Sequence, residues 1–257
     1  MQPALSQSLP ATGAGPRGVY DASYYARFYP ASWFHAAGDK PVVNRALSTM
    51  LRKLCRKNRL GSRRPVLVHF GCGQGFLARA CQGWSTNVGS DIAHCAAGGA
   101  TANGVPSVCA SLEAGCFRPG AFDAATAIDV LEHLIDPRRG LRTMRDALRP
   151  GGLALVTVPN LGSLSRRLKG RDWSAYRDPT HRCLVGPSTW RGWFEGAGFE
   201  VLQVGTDALW DPPYFCHWLR PLERLVVLSA SNLLASLRPQ LPWSLGDDLV
   251  VTLRKPA

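Results

Sequence analysis

Apolar residues along the chain form short runs that alternate with stretches of helical spacing. Between residues 42 and 60 the apolar positions fall three or four residues apart, which predicts a helix that Gly61 ends. The next apolar run, Val66–Phe70, predicts a buried strand. It leads directly into the glycine-rich sequence 71–75 (GCGQG), after which another helix is predicted. This first unit therefore has the order helix, strand, glycine turn, helix.

The same alternation continues toward the middle of the chain. Further strands are predicted at residues 86–90, 105–110, 122–128 and 153–158, and a helix is predicted at 93–103. Another helix is predicted to begin at Asp136, an N-cap residue followed by Pro137 at the first helical position, and to end at Leu148. Strands that alternate with helices at this spacing predict an α/β fold with a doubly wound parallel sheet.

The pattern changes after residue 160. Residues 166–171 are predicted to form a basic loop, and Pro187 is predicted to begin a helix with one apolar face. Two last strands are predicted at 199–204 and 249–253. Residues 207–246 between them form an apolar insertion, with an amphipathic helix predicted from Pro221. Two interpretations of the insertion stay open: a lid or homodimer surface, or an interfacial helix that contacts a membrane or a lipophilic acceptor.

The amino-terminal region divides into two parts. Residues 1–18 are rich in Pro, Gly, Ser and Ala and predict a flexible tail. Residues 19–257 are predicted to form one domain, which begins with a helical cap at 19–62. The aromatic-rich segment 20–30 is predicted to pack on this domain.

The composition places the chain among globular proteins. Of its 257 residues 46% are hydrophobic and 19% charged, with no apolar run long enough to cross a membrane and no recognisable secretory signal. The eight cysteines include no CxxC pair, which favours reduced thiols in a cytoplasmic protein. The net charge is +12, and residues 40–90 hold ten Lys or Arg and no acid. This stretch is either a solvated helix face or a surface for nucleic acid, acidic lipid or a phosphorylated substrate.

The glycine turn and an acidic residue beyond it indicate a nucleoside ligand. A strand that ends in GxGxG brings bare backbone close to a ligand, and the amides of the following helix favour a negative group. Asp91, eighteen residues after Gly73, ends the next predicted strand, where a carboxylate can accept both hydroxyls of a ribose. The alternative is that Asp91 only caps the following helix.

Four segments together resemble motifs of the class I S-adenosylmethionine-dependent methyltransferases. VLVHFGCGQG is similar to the first motif of that family, VGSDI to its ribose-binding strand end, AFDAATAIDVLEHLIDP to its fourth-strand motif and LRPGGLALVTVPN to its fifth. The resemblance covers about residues 64–205 and the closing segment GDDLVVTLRKP. It implies a Rossmann-like sheet of seven strands with the last strand antiparallel, helices on both faces, and S-adenosyl-L-methionine as methyl donor.

The resemblance also implies which residues bind the donor. The glycine turn would line the methionine moiety, Asp91 would hold the ribose, Ser111 and Leu112 would flank the adenine, and Asp129 would face the methionine end. Two positions depart from the family pattern: His69 stands where an acid is common, and Ser111 where an Asp often contacts the adenine amino group. The full set of candidate donor-binding residues is Gly71, Cys72, Gly73, Gly75, Asp91, Ile92, Ser111, Leu112 and Asp129.

The candidate catalytic residues are His133, Glu132 and His181. The sequence DVLEH follows the fourth strand, at the sheet edge where such folds bind ligands, and DPTH (178–181) follows the fifth. His133 could act as a general base, since its ordinary pKa lies near neutrality. In one helical turn Asp129, Glu132 and His133 converge, and with His181 they would suit a divalent metal.

The metal hypothesis is also suggested by resemblance. The arrangement is similar to the ExxEH and downstream histidine of 3-demethylubiquinone O-methyltransferases and small-RNA 2′-O-methyltransferases, with Asp129 in place of the first Glu. The alternatives are that His133 acts without metal, as a base or a group that positions the acceptor, or that it only braces a loop.

Three hypotheses of function follow from this resemblance. The first is O-methylation of a small molecule, such as a quinone or phenol, a sugar or a natural-product intermediate. The second is an RNA methyltransferase recruited by the basic face at 40–90. The third is a non-catalytic partner protein that keeps the fold for assembly.

Overall fold

The structure is a computed structural model that describes residues 20–21, 23–24, 40–58, 60, 64–207 and 246–257. The predicted tail at 1–18 and residues 208–245 of the predicted insertion lie outside this part of the chain. The interpretations of the insertion as a lid, a dimer surface or a membrane contact therefore stay predictions.

The described residues form seven strands and seven α-helices. The strands are β1 (Val66–Phe70), β2 (Thr86–Asp91), β3 (Ser107–Cys109), β4 (Phe122–Ile128), β5 (Leu148–Pro159), β6 (Glu200–Thr206) and β7 (Asp248–Arg254). The helices are α1 (Lys40–Lys57), α2 (Phe76–Cys81), α3 (His94–Ala102), α4 (Pro137–Ala147), α5 (Leu164–Lys169), α6 (Ser174–Arg177) and α7 (Pro187–Gly196). Two 3-10 turns, Leu131–His133 and Gly170–Asp172, lie between them.

The strands form one mixed sheet in the order β3-β2-β1-β4-β5-β7-β6. All pairs from β3 to β5 are parallel, while β7 runs antiparallel to both β5 and β6. The predicted doubly wound, Rossmann-like sheet with an antiparallel last strand is therefore confirmed. In this order β1 lies between β2 and β4, so the carboxyl ends of these three strands meet at one edge of the sheet.

Alternate residues of the central strands pack on opposite faces of the sheet. In β1, Val68 and Phe70 belong to a core that includes residues of α4 and α7, whereas Leu67 belongs to a core with Leu51 and Cys55 of α1. Strand residues buried on both faces explain why the sequence shows continuous apolar runs here. Each fully buried large apolar side chain contributes about 1.5–3 kcal/mol relative to exposure, so both helical layers hold the sheet in place.

The predicted helix starts are correct where local chemistry sets them. Asp136 accepts a hydrogen bond from the backbone N–H of Arg139 at 3.1 Å and caps α4, with Pro137 in its first turn. Pro187 begins α7, on which Trp190 and Phe194 are buried. These helices begin as predicted because cap and proline act within a few residues of the chain.

Two parts of the chain differ from the prediction. Strand β5 begins at Leu148 rather than at residue 153, because Leu148 already pairs with Phe122 before a register shift in the ladder. Residues 166–171, predicted as a loop, instead lie in α5 and in a 3-10 turn. Ser163 caps α5 by accepting from the backbone N–H of Arg166 at 3.1 Å, and the buried Trp173 anchors the end of the segment.

The basic face predicted on the first helix is exposed. On α1 the side chains of Leu51 and Cys55 are buried, whereas those of Arg52, Lys53, Arg56 and Lys57 are exposed. In the part of the chain that the structure describes, no helix combines the length and apolar character needed to cross a membrane.

Candidate active site

The glycine turn after β1 has a backbone that side chains rarely adopt. Gly71 has a φ of 61° and Gly73 a φ of 52°. A Cβ on Gly71 would overlap the Cγ2 of Val130, whereas a Cβ on Gly73 would meet no atom within 4 Å. Gly71 is therefore required by packing, and Gly73 leaves an open space where backbone faces the cavity.

Asp91, at the end of β2, holds this turn. Its Oδ2 accepts a hydrogen bond from the backbone N–H of Gly73 at 2.9 Å, and its Oδ1 accepts from that of Ala93 at 2.9 Å. Only 4% of the residue is exposed, on the wall of a cavity. Asp91 thus contacts the backbone ahead of α3, as the capping alternative proposed, and also faces the space where a ribose would lie.

One cavity of about 220 Å³ brings most of the predicted site residues together. The predicted donor-binding residues that line it are Gly71, Cys72, Gly73, Asp91, Ile92, Ser111, Leu112 and Asp129. His133 lines the same cavity, and so do Tyr20, Tyr24, Asn44, Ile135 and Arg182. Gly75, Glu132 and His181 are not among its lining residues. The motifs at the ends of β1, β2 and β4 therefore open into a single space.

Gly75 has a packing role in this structure. It has a φ of 80°, and a Cβ there would approach the Cβ of Ala100 to 3.1 Å. The glycine therefore lets the start of α2 lie close to α3. Gly89, which the motif analysis did not single out, has a similar role, because a Cβ on it would overlap Ser107 and Cys72.

His69 occupies the position where the family commonly has an acid. Its Nδ1 lies 2.9 Å from the hydroxyl of Thr126 and its Nε2 lies 3.0 Å from Oδ1 of Asn87. Burial lowers the pKa of His69 to about 4, so the ring is neutral at physiological pH. The side chain therefore joins neighbouring strands through hydrogen bonds and supplies no charge.

Asp129 does not join the other candidate metal ligands. It has a φ of 53°, the only positive φ among the described residues other than glycine. Its Oδ1 accepts a hydrogen bond from the Thr157 hydroxyl at 2.6 Å, while its backbone N–H donates to the same hydroxyl at 3.0 Å. This local conformation replaces the helical turn that was expected to bring Asp129 beside Glu132 and His133. The carboxylate remains on the cavity wall.

Glu132, His133 and His181 do lie together. Each offers one ligand atom, and these atoms all lie within 4.8 Å of one another. The ring centroids of the two histidines are 4.6 Å apart. The segments that carry these side chains are joined by the backbone carbonyl of Glu132, which accepts hydrogen bonds from the backbone N–H groups of Arg182 and Cys183 at 2.9 Å each. These two bonds hold the segment between α6 and α7 against the turn after β4.

The titratable groups of this cluster are shifted toward neutral forms. Glu132 is fully buried, and neither of its carboxyl oxygens has a hydrogen-bond partner among the residues that the structure describes. Burial first, and then the nearby Asp129, raise its pKa well above the usual value. Burial, and then the neighbouring His181, lower the pKa of His133 to about 4. A neutral His133 faces the cavity at physiological pH.

Sequence reasoning missed a set of side chains around His133. The Thr180 hydroxyl lies 2.9 Å from Nδ1 of His133 and donates to Oδ1 of Asp178 at 2.5 Å. The Tyr24 hydroxyl donates to Oδ2 of Asp178 at 3.2 Å, and the Tyr20 ring stands edge-on to the imidazole of His133, with centroids 6.0 Å apart. The only signals in the sequence were the aromatic segment 20–30 and the DPTH motif.

Comparison with known proteins identifies the class of protein that has this fold and this site. A methyltransferase-domain family matches residues 43–204, more than half of the chain. The chain belongs to this family. It is a class I S-adenosylmethionine-dependent methyltransferase, with S-adenosyl-L-methionine as its methyl donor.

Curated relatives of the chain are similar over different lengths. A ubiquinone biosynthesis O-methyltransferase of Methylobacterium nodulans is 28% identical over 221 residues, which cover 75% of this chain and 87% of the relative. A protein of the same name from Xanthomonas euvesicatoria is 28% identical over 101 residues, which cover 37% of this chain and only 42% of the relative.

Solved structures agree with the fold. A SAM-dependent methyltransferase of Thermotoga maritima superimposes with a TM-score of 0.60 at 18% identity, covering 90% of this chain and 97% of the other. A chain from the Haloferax volcanii complex between the Trm112 methyltransferase activator and a methyltransferase gives a TM-score of 0.59 at 16% identity, with 88% and 97% coverage. At these identities the likeness extends to the fold alone.

Proposed function

We propose that this methyltransferase transfers the methyl group of S-adenosyl-L-methionine to an oxygen atom of a small molecule, such as a quinone or phenol, a sugar or a natural-product intermediate. The observation that carries the proposal is the shared cavity, which Asp91 and the glycine turn line together with the neutral His133. The names of the relatives, ubiquinone biosynthesis O-methyltransferases, support an oxygen acceptor. We further propose that the enzyme acts in the cytoplasm.

The donor side of the cavity fits an adenosyl sulfonium compound. The open space at Gly73 would take the methionine moiety, and Asp91 would accept hydrogen bonds from the ribose hydroxyls. Ser111 and Leu112 would flank the adenine, and Asp129 would face the ammonium group of the methionine end. Cys72 contributes shape and not reactivity, because burial, and then Asp91, raise the pKa of its thiol to about 12.

The acceptor side offers a base and partial exclusion of water. His133 is neutral, so it can take up the proton that the acceptor hydroxyl loses as its oxygen is methylated. A weak base is sufficient because this proton becomes strongly acidic as the new C–O bond forms. Tyr20 and Ile135 give the same end of the cavity an apolar wall that suits a phenolic or lipophilic acceptor.

Calorimetry and product analysis test the proposal in sequence. Titration of the folded protein with S-adenosylmethionine and with its demethylated product should give heat and a single site. Incubation with the donor and a cell extract, followed by mass spectrometry, should then reveal a small molecule heavier by one methyl group. If the donor binds but no acceptor is ever methylated, the non-catalytic hypothesis replaces ours.

A divalent cation is a second candidate feature of the acceptor side. Within the described part of the chain the buried carboxylate of Glu132 has no hydrogen-bond partner, and it lies beside two imidazoles, a donor set that suits a first-row divalent metal. Glu132, His133 and His181 would hold the cation, without Asp129. When bound, such a cation lowers the pKa of a coordinated hydroxyl.

The metal is tested by stability as well as by activity. Mg²⁺, Mn²⁺ or Zn²⁺ should raise the thermal midpoint of the wild-type protein and leave that of Glu132→Gln unchanged. Elemental analysis of the purified protein gives an independent measurement. Equal midpoints with excess chelator and with each metal, together with full activity in chelator, would exclude the cation.

The exposed basic face of α1 keeps RNA as an alternative acceptor. Arg52, Lys53, Arg56 and Lys57 are exposed, and within the described residues none of them forms an ion pair with an acid. Substitution of all four by Gln should abolish RNA methylation and flatten its salt dependence if RNA is the acceptor. Turnover of a small molecule should hardly change.

A further inference from the structure

The two ring nitrogens of His133 have different surroundings. Nδ1 lies 2.9 Å from the hydroxyl oxygen of Thr180, whereas Nε2 has no hydrogen-bond partner among the described residues. In a neutral imidazole one nitrogen carries a hydrogen and the other a lone pair. Whether Nε2 can accept a proton therefore depends on what the Thr180 hydroxyl does.

The Thr180 hydroxyl has a single hydrogen, and it donates this hydrogen to Asp178 in a hydrogen bond. Oδ1 of Asp178 lies 2.5 Å from the hydroxyl oxygen of Thr180 and 2.8 Å from the Thr180 backbone nitrogen. An oxygen–oxygen distance of 2.5 Å is in the range of a hydroxyl that donates to a carboxylate. An ionised carboxylate only accepts hydrogen bonds. The hydroxyl therefore donates to Asp178 and turns a lone pair toward Nδ1 of His133.

The Tyr24 hydroxyl contacts the other oxygen of the same carboxylate. This hydroxyl donates to Oδ2 of Asp178 at 3.2 Å, so each oxygen of the carboxylate already faces a donor. Thr180 is buried, with 6% of the residue exposed, and so water has little access to its hydroxyl. The Tyr24 hydroxyl oxygen also lies 3.3 Å from the hydroxyl oxygen of Thr180, and either can be the donor, but the Asp178 oxygen at 2.5 Å is the much nearer acceptor for the Thr180 hydrogen.

We propose that Asp178 and Thr180 are positioning residues that hold His133 in the tautomer with hydrogen on Nδ1, so that the lone pair of Nε2 is presented to the methyl acceptor. The last step rests on the proposed function. When the acceptor oxygen forms its bond to the methyl carbon, the carbon–sulfur bond breaks with its electron pair going to sulfur. The acceptor proton passes to Nε2, and the resulting imidazolium donates through Nδ1 to Thr180, beside the Asp178 carboxylate, until water removes the proton.

His181 has the same tautomer, but a backbone carbonyl sets it. Its Nδ1 lies 2.7 Å from the backbone carbonyl of Ala175, which can only accept, so this nitrogen also carries the hydrogen of the neutral ring. Neither histidine then donates a hydrogen through Nε2. The structure assigns both rings the same tautomer, and only that of His133 depends on side chains.

Nuclear magnetic resonance of the ¹⁵N-histidine-labelled protein at pH 7 tests the tautomer directly. The two-bond nitrogen–proton spectrum should show His133 with hydrogen on Nδ1, and His133→Gln identifies its signals. Thr180→Val should shift the spectrum toward the Nε2–H form, because Nδ1 loses its acceptor. Thr180→Ser is the matched control and should restore the wild-type pattern. Asp178→Ala should behave like Thr180→Val, since it removes the carboxylate that accepts from Thr180 and the hydroxyl can then donate to Nδ1.

The outcomes separate this proposal from the proposed function. A wild-type spectrum with hydrogen on Nε2 overturns it, and so do identical spectra for Thr180→Val and Thr180→Ser. The wild-type spectrum decides even if a variant does not fold, and it requires neither donor nor acceptor. Once an acceptor is known, Thr180→Val should lower kcat about 10- to 100-fold with the KM for the donor unchanged. Thr180→Ser should stay close to the wild-type kcat.

Discussion

The two walls of the cavity are held by different kinds of contact. On the side proposed to bind the donor, the backbone N–H of Gly73 in the glycine turn donates to Asp91 at the end of the neighbouring strand, and the positive φ values of Gly71 and Gly73 set the shape. On the side proposed to bind the acceptor, side chains from separate parts of the chain bond to one another: the hydroxyls of Tyr24 and Thr180 donate to Asp178, and the Thr180 hydroxyl also contacts Nδ1 of His133. The donor wall should therefore be sensitive to backbone changes, and the acceptor wall to the loss of single polar atoms.

The largest loss of folding stability is expected when Gly71 is substituted. Gly71→Ala places a Cβ against Val130 on a backbone with positive φ, so strain and overpacking should together cost about 2–4 kcal/mol of unfolding free energy. Gly73→Ala is the matched control. It has the same sign of φ but no atom within 4 Å of the added Cβ, and should cost only about 1 kcal/mol. Urea denaturation without donor measures both, and equal losses would contradict the packing role of Gly71.

The affinity of Asp91→Ala for the demethylated donor tests the proposed donor side of the cavity. Asp91→Ala removes the acceptor that faces the cavity and leaves the N–H groups of Gly73 and Ala93 without their bonds. We expect the dissociation constant of S-adenosylhomocysteine to rise about 5- to 150-fold, which corresponds to about 1–3 kcal/mol. Isothermal titration calorimetry measures this change. Asp146→Ala on α4 should bind like the wild type, and unchanged affinity in Asp91→Ala would remove Asp91 from the donor site.

Glu132, which is buried next to His133 and does not line the cavity, can be tested through the dependence of stability on pH. Because its pKa is raised when folded, the native state keeps the proton while the unfolded state loses it above the ordinary value of 4.5. Its contribution to stability is therefore present below pH 4.5 and is lost as the pH rises toward the pKa of the folded state. Glu132→Gln has no such loss, so without metal its stability relative to wild type should increase by about 1.4 kcal/mol per pH unit across this window.

Urea denaturation at several pH values between 4 and 7, in chelator, measures the difference between the two proteins. Glu195→Gln, on the exposed side of α7, is the control and should follow the wild type. Parallel curves for wild type and Glu132→Gln would show that Glu132 is ionised in the folded protein.

The smallest loss of folding stability is expected when Tyr24 is substituted. Tyr24→Phe removes the hydroxyl that bonds to Asp178 but keeps the ring and the contact between Thr180 and His133. One hydrogen bond is worth about 0.5–1.5 kcal/mol, so thermal denaturation should show a small loss. The more exposed Tyr176→Phe should show none. A loss as large as that of Gly71→Ala would mean that the acceptor wall depends on the amino-terminal segment more than the contacts indicate.

The sequence predicted which residues near the ends of β1 and β2 line the cavity, because each of these signals is local. The strand Val66–Phe70, the turn 71–75 and Asp91 are separated by short intervals, and parallel strands bring their carboxyl ends to one edge. Asp129 shows the limit of this reasoning. Its distance along the chain from Glu132 and His133 suggested one helical turn, but its φ is positive, its carboxylate bonds to Thr157 on β5, and it is not part of the cluster of Glu132, His133 and His181.

The sequence by itself determined the alternation of strands and helices, the class of methyltransferase and most of the residues that line the cavity at the ends of β1, β2 and β4. Only the tertiary structure decided that Thr180 and Tyr24 meet at Asp178, that Glu132 is buried with no hydrogen-bond partner in the described ranges, and that Gly75 serves helix packing. The physical reason is the separation along the chain over which each interaction acts. Glycine turns, caps and strand ends act over a few residues, whereas hydrogen bonds between distant side chains exist only after the sheet has brought their segments together.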